Sequence, residues 1–213
     1  MPNAVASNPA RVTVNPLVWV RHYKAAPLIL AALLVLSVVA FFVITLDEDS
    51  PKLAARLKLL PVLFGIVNVL YWVGVAGSGR KGNVNPGVVL QTEPMLIAIL
   101  ADMGKSGTPY YALKIIKQPV YGQDGKLLPP GSKLATAAEY GDTNSNKNPD
   151  RWGNLNPIPV PCFTNDAATL NRVMATIDDE EWELLDNALR EVPEREPGIY
   201  FLSSRWQDGS HQS

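Results

Sequence analysis

The 213-residue sequence has little cysteine and little histidine, two side chains that commonly bind metals or activate nucleophiles. It contains one cysteine, Cys162, and two histidines, His22 and His211. A single cysteine excludes an internal disulfide framework and a cysteine-based structural zinc site. Nucleophilic catalysis needs a base beside the nucleophile, and both histidines lie far from Cys162 in the sequence. We therefore predict no catalytic, cofactor-binding or metal-binding residues, and we interpret Cys162 as a small buried hydrophobe.

Ionisable residues are missing from two long stretches. Residues 25–46 and 59–79 contain no Asp, Glu, Lys, Arg or His. A helix needs about 20 apolar residues to cross a bilayer, and both stretches are apolar on every side rather than along one stripe. They predict a transmembrane hairpin over residues 25–79, with spans at 25–46 and 59–77. Buried core helices are the alternative. The missing ionisable groups argue against a transporter.

A few polar and aromatic residues mark the predicted spans. Asn68 could bond to the partner helix of the same chain, which is the preferred interpretation, or to a neighbouring helix and so hold an oligomer together. A small oligomeric pore with Asn68 facing its lumen is a further alternative. Tyr71 and Trp72 near the end of the second span, and Trp19 ahead of the first, are predicted to be interfacial anchors.

Acidic and basic residues are distributed unevenly along the chain. Residues 1–81 carry eight Lys or Arg against three acids, and residues 82–213 carry eleven against seventeen, giving +5 and −6. An acidic soluble part would repel phosphate, so nucleic acid is not an expected partner. More basic residues flank the spans on the side of the termini than in the loop between them. This bias predicts an inner-membrane protein whose termini and soluble domain are cytoplasmic.

The second half of the chain has the pattern of a small α+β domain. Strands are expected first, at residues 87–91, 95–101, 110–117, 133–140 and, as an edge strand or polyproline segment, 157–161. A helical period follows Phe163, where Asn165 or Asp166 can cap a first helix, and Asp178 with Glu181 forms a capping-box pattern for a second helix. Strands followed by helices predict an antiparallel sheet with a C-terminal helical pair. The predicted divisions are a flank (1–24), a linker (80–84), the domain (85–202) and a flexible tail (203–213).

Two loop motifs have weaker interpretations. Gly104-Lys105-Ser106 resembles the end of a phosphate-binding loop, but residue 99 is isoleucine where that loop needs glycine, so we interpret it as a hairpin loop. Residues 142–150 have the alternating oxygens of a calcium loop, yet Lys147 stands at the glycine position, so a solvated loop is expected. A membrane-associated enzyme with a site near residues 142–152 remains an alternative.

The strongest charge feature lies in the second predicted helix. Residues 178–196 contain nine acids against Arg190 and Arg195. Acids in the first turn stabilise a helix through its dipole, but an acidic face also suits a basic partner. The predicted partner-binding residues are Glu180, Glu183, Asp186 and Glu191. The leading hypothesis is a non-enzymatic protein-binding or scaffold module in the bilayer, with a protein partner or a second copy.

Several segments of the soluble half resemble a known bacterial family. They are Asn85-Pro86-Gly87, residues 94–98, residues 150–162 and residues 177–182. Together they are similar to a family catalogued only as a domain of unknown function, over about residues 83–200. The resemblance implies one compact domain of strands followed by a helical pair, often near membrane helices. It implies no activity and no functional residue.

Overall fold

The computed structural model describes residues 7–45, 59–105, 108–142, 148–193 and 196–203. Its helices are α1 (Pro16–His22), α2 (Ala25–Thr45), α3 (Leu59–Lys81), α4 (Ala167–Met174) and α5 (Asp179–Glu191). Its strands are β1 (Asn83–Thr92), β2 (Met95–Asp102), β3 (Tyr111–Lys117), β4 (Lys133–Gly141), β5 (Asn154–Pro159) and β6 (Gly198–Phe201).

Helices α2 and α3 pack against each other and are long and apolar enough to cross a membrane. Only 11% of the α2 stretch and 6% of the α3 stretch is buried, which is unlike the core helices of a soluble domain. Asn68 makes a polar contact between them: its Nδ2 donates to the carbonyl of Leu30 in α2 at 3.1 Å, and also to that of Phe64 in its own helix at 3.0 Å. The preferred interpretation of Asn68, a bond to the partner helix of its own chain, is confirmed.

The six strands form one antiparallel sheet in the order β5-β4-β1-β2-β3-β6. The buried, continuously apolar β2 lies inside the sheet, as its pattern predicts, and it pairs with β3 as the expected hairpin. Strand β5, with Pro157 and Pro159, lies at an edge, where a residue without an N–H is tolerated. The opposite edge strand, β6, was not predicted.

The C-terminal helical pair is also present, and local capping explains where each helix begins. The Asp166 carboxylate accepts a hydrogen bond from Thr169 N at 2.8 Å. Asp178 and Glu181 form the predicted capping box, with Glu181 Oε2 accepting from Asp178 N at 3.1 Å. Helix α5 then buries Leu185 and Ala188 against the apolar side chains of the central strands. The predicted α+β architecture is confirmed.

The N-terminal flank is part of the folded domain rather than a separate segment. Its residues 7–15, here called the strap, run beside the end of α3. Val12 N donates to Gly79 O at 2.8 Å, Ala10 N donates to Gly82 O at 2.9 Å, and Val84 N donates to Asn8 O at 2.8 Å. The last carbonyls of a helix have no partner within the helix. The strap therefore supplies partners for the end of α3 and also pairs with the start of β1.

The predicted flexible linker at residues 80–84 is corrected by the structure. Helix α3 continues to Lys81 and β1 starts at Asn83, so only Gly82 separates them. Gly82 also fits a tight space: a Cβ there would lie 2.6 Å from Ser78 O and 3.0 Å from the Ala137 Cβ. The glycines of this region permit close packing, and the domain is joined to α3 without a spacer.

Trp19 corrects a second expectation. It is only 5% exposed, stacks on Tyr23 and Phe163, and donates from Nε1 to the Tyr71 hydroxyl at 2.7 Å. The prediction that Trp19 is an interfacial anchor was wrong, because its ring belongs to the core that joins α1 to the domain. Tyr71 and Trp72 are half-buried against the same core.

We expect Gly82→Ala to weaken the junction between α3 and the domain, because the added methyl group must displace backbone. Overpacking of this kind costs roughly 1–3 kcal/mol. The matched control is Gly77→Ala, also near the end of α3, where a Cβ meets nothing within 4 Å. Thermal unfolding of the full chain in detergent should show a lower Tm for Gly82→Ala and no loss for Gly77→Ala. Equal Tm values for the two variants would contradict this account of the junction.

Candidate functional site

The four predicted partner-binding residues lie on the solvent-facing side of α5. Glu180, Glu183, Asp186 and Glu191 are all exposed, while Leu185 and Ala188 point into the core. Within the described ranges, no ion pair involves the first three carboxylates. Glu191 differs, because its Oε1 accepts a hydrogen bond from Ser203 N at 2.9 Å and so ties the backbone that follows β6 to α5. The structure brings the four residues together on one helix.

A polar pocket lies where the sheet divides between β1 and β2. The pairing of β1 with β2 ends at Gly87 and Ile99, whereas β1 continues beside β4 as far as Asn83 and Ala138. Pro86 has no N–H to extend a ladder, and beyond it the strap pairs with β1 through Pro9 and Asn83. The resulting cavity of about 220 Å³, here called the split pocket, is bounded by β1, β2, β3, α5 and Ser7 of the strap.

Hydrogen bonds hold most polar groups around the split pocket in place. The Asn83 side-chain oxygen accepts from Asn8 N at 2.9 Å, and the Tyr140 hydroxyl donates to Asn85 Oδ1 at 2.9 Å. Asp102 Oδ1 accepts from Gly104 N at 2.8 Å and from Tyr110 N at 2.7 Å. These contacts make the pocket a defined, preorganised cavity rather than a loose gap.

The charge of the split pocket is one-sided. Its described lining includes Asp102 and Glu181 and no basic side chain. Burial raises the pKa of Glu181, against the opposing effect of its hydrogen bond from Asp178. Burial also raises the pKa of Tyr111, and the neighbouring carboxylates, Asp102 first, raise it further. Such a lining can accept hydrogen bonds from a cationic donor. Sequence reasoning missed it because Asp102 and Glu181 are distant in the chain.

A second cavity, of about 200 Å³, is mostly apolar. Its walls include Tyr121, Leu128, Leu134, Leu170 and Met174, from the loop after β3, from β4 and from α4. Few polar groups line it. It is therefore an apolar gap between packed elements, and its described lining includes no group of side chains that could catalyse a reaction.

The described residues of the segment 142–152 contact Lys105, and these contacts have a structural role. Lys105 Nζ lies 2.7 Å from Asp142 Oδ2, donates to Asn148 O at 2.8 Å, and lies 4.6 Å from the centre of the Trp152 ring. Lys105 thus holds the loop after β2 against the loop after β4. This contact is consistent with the interpretation of Gly104-Lys105-Ser106 as a hairpin loop. Residues 143–147 of the calcium-like pattern lie outside the described residues. In the parts that are described, no group of three or more His, Cys, Asp or Glu is placed to hold a metal.

Cys162 is fully buried in the short 3₁₀ helix (Val160–Cys162) that follows β5, as expected for a small hydrophobe. Burial raises its thiol pKa, with the hydrogen bond from Tyr23 opposing the effect. A neutral, inaccessible thiol is a poor nucleophile.

Glu181→Gln should remove a pH dependence from the stability of the domain. A carboxyl whose folded-state pKa is raised binds its proton more tightly when folded, so Glu181 destabilises the fold once it ionises and ceases to do so as pH falls. Glutamine keeps the capping acceptor. The Tm of the variant minus that of the wild type should be positive at neutral pH and shrink towards zero in acid. A difference that grows towards low pH would contradict the raised pKa.

A comparison with models of known families agrees with the resemblance noted in the sequence. The model of a family described as "Protein of unknown function (DUF3239)" matches residues 78–192, more than half of the chain. A crystal structure of "a putative membrane protein" from Corynebacterium diphtheriae is 24% identical, with a TM-score of 0.45, and the match covers 56% of this chain and 100% of that one. The search of curated proteins gives no match. The expected family, a domain of unknown function, is confirmed.

Proposed function

We propose that this chain, which belongs to the DUF3239 family, is a non-enzymatic binding module anchored in the inner membrane. Helices α2 and α3 span the bilayer, and both termini and the α+β domain face the cytoplasm. The exposed acidic side of α5 binds a basic segment of a partner protein. The family description assigns no activity, so the proposal rests on the contacts and charges of this chain.

The apolar surface of the hairpin supports the membrane anchor. Leu28, Leu36, Val43, Leu63 and Leu70 are each more than half exposed on α2 and α3. Contiguous apolar surface of this extent is unfavourable in water and marks a membrane or protein interface. Two helices of 21 and 23 residues match the thickness of the hydrocarbon core.

The charges next to the hairpin support the proposed orientation. Arg21 and Lys24 precede α2, Arg80 and Lys81 end α3, and all four are exposed on the side of the soluble domain. Basic residues beside short spans favour the cytoplasmic side of a membrane.

The observation that carries the binding function is the outward acidic side of α5. Helix α5 is fixed on the sheet by its buried apolar residues, and Glu180, Glu183 and Asp186 project from it into solvent. A rigid row of carboxylates steers and orients a basic partner by electrostatic complementarity.

Two alternatives have less support. For the pore, the Asn68 amide already donates to Leu30 and Phe64 of its own chain. For the enzyme, the Lys105–Asp142 pair occupies the region where a site was expected. The polar groups with raised pKa values converge at the split pocket instead.

Charge reversal on α5 tests the binding function. The full chain is purified in mild detergent from its native host, and the mass of the complex is measured by light scattering. We expect a stoichiometric companion protein that is released by salt. Glu180→Lys, Glu183→Lys and Asp186→Lys together should lose the companion while the Tm stays near that of the wild type.

The matched control reverses three exposed acids elsewhere, Glu93→Lys, Glu139→Lys and Glu196→Lys, with the same change in net charge. This control should keep the companion. A homo-oligomer without a companion would refute the proposal and favour the pore. Loss of the companion from both variants would show a general charge effect rather than a face on α5.

A further inference from the structure

Helix α1 presents an apolar and basic side outward. Trp19 points into the core, and Leu17, on the other side of this helix, is 83% exposed. Arg21 lies one turn after Leu17 and is also exposed, and positions four residues apart share one side of a helix. Lys24, also exposed, lies in the short connection after α1. Apolar and basic side chains on the outward side of a helix are typical of helices that lie at membrane surfaces.

The loop between β3 and β4 extends this surface. Residues 121–128 form a tight turn in which Gly122 N donates to Lys126 O at 2.8 Å, and Gly125 adopts φ +79°. Arg21 fixes the turn: its Nη2 donates to Gly125 O at 2.6 Å, and its guanidinium lies 4.4 Å from the centre of the Tyr121 ring. The turn exposes Lys126 and 41% of Leu127.

The short connection between α1 and α2 limits how far this surface can lie from the bilayer. Helix α1 ends at His22 and α2 begins at Ala25, so the two helix ends are at most about 11 Å apart. The headgroup layer on each side of a bilayer is roughly 5–8 Å thick. If α2 enters the hydrocarbon core at Ala25, then the end of α1 at His22, and with it the turn that Arg21 holds, lies at or just outside the headgroup layer.

We propose that α1 and the 121–128 turn form a membrane-binding surface for the anionic phospholipid headgroups of the leaflet next to the domain. Leu17 and Leu127 enter the boundary between headgroups and acyl chains. Lys24 and Lys126 contact lipid phosphates, as basic residues beside spans do on anionic leaflets. The domain thus lies against the bilayer instead of standing off it. This inference rests on the proposed insertion of α2 and α3.

The single buried cysteine makes a labelling experiment selective. Cys162 is inaccessible to a thiol reagent, so Leu17→Cys, Leu127→Cys and Asp186→Cys each add one reactive site to the full chain. All three replaced side chains are exposed, so the fold should be retained. Each variant carries an environment-sensitive fluorophore and is reconstituted into vesicles of phosphatidylcholine with phosphatidylglycerol. A quencher attached to the lipid headgroup reports contact.

Residues 17 and 127 should be quenched severalfold more strongly than residue 186 on α5. In vesicles of phosphatidylcholine alone, the quenching at residue 127 should fall, because the side chains of Lys24 and Lys126 then have no anionic headgroups to bind. Quenching at 17 and 127 that is no stronger than at 186 would overturn the proposal. Equal quenching at 127 in the two lipid mixtures would overturn its anionic specificity.

A fourth variant separates this inference from the proposed anchor. Leu36→Cys lies in the middle of α2, and a quencher on the acyl chains reports whether this helix is inserted. No quenching at residue 36 would refute the membrane anchor itself. Quenching at residue 36 without quenching at 17 and 127 would refute only the surface.

Discussion

The backbone carbonyls at the end of α3 need hydrogen-bond donors, and the strap supplies them. Gly79 O and Gly82 O accept from Val12 N and Ala10 N, while Asn8 O accepts from Val84 N at the start of β1. Unpaired carbonyls at a buried helix end would be costly. The strap therefore supplies hydrogen-bond partners both to the end of a candidate membrane helix and to the first strand of the sheet. Other parts of the domain are attached at the same junction.

Several other features depend on the strap. Arg172 of α4 donates to the carbonyls of Ala10 and Arg11, so the helical pair is tied to the same segment. Asn15 N donates to Phe163 O at 2.7 Å, which brings α1 and Trp19 onto the core. Ser7 and Asn8 close one side of the split pocket. Because no spacer follows α3, a partner would meet the acidic side of α5 in one fixed orientation relative to the hairpin.

Local patterns in the sequence were sufficient for much of the fold. The apolar β2 and the turn-rich loop before β3 predict the central hairpin, and Asp178 with Glu181 predicts the start of α5. The prolines of β5 predict an edge strand because they cannot donate to a ladder. In each case the residues that determine the element lie close together in the chain.

The features that the sequence did not predict depend on contacts between residues far apart in the chain, or on residues such as glycine that suit more than one structural role. Asn8 pairs with Val84 and Trp19 bonds to Tyr71, and no local pattern marks either contact. Strand β6 has four residues and follows Pro197, too short for a periodic signal. The glycines near residue 80 were interpreted as flexibility, whereas Gly79 and Gly82 allow the strap and β4 to approach closely. The split pocket joins residues from three strands and a helix.

Hydrogen–deuterium exchange of the full chain in detergent tests the central claim most directly. If the strap closes the end of α3 and the start of β1, the amides of Ala10, Val12 and Val84 should exchange as slowly as those of β2, since they open only with the domain. Exchange of the Ala10 and Val12 amides at the rate of an unprotected chain, with β2 still protected, would contradict it.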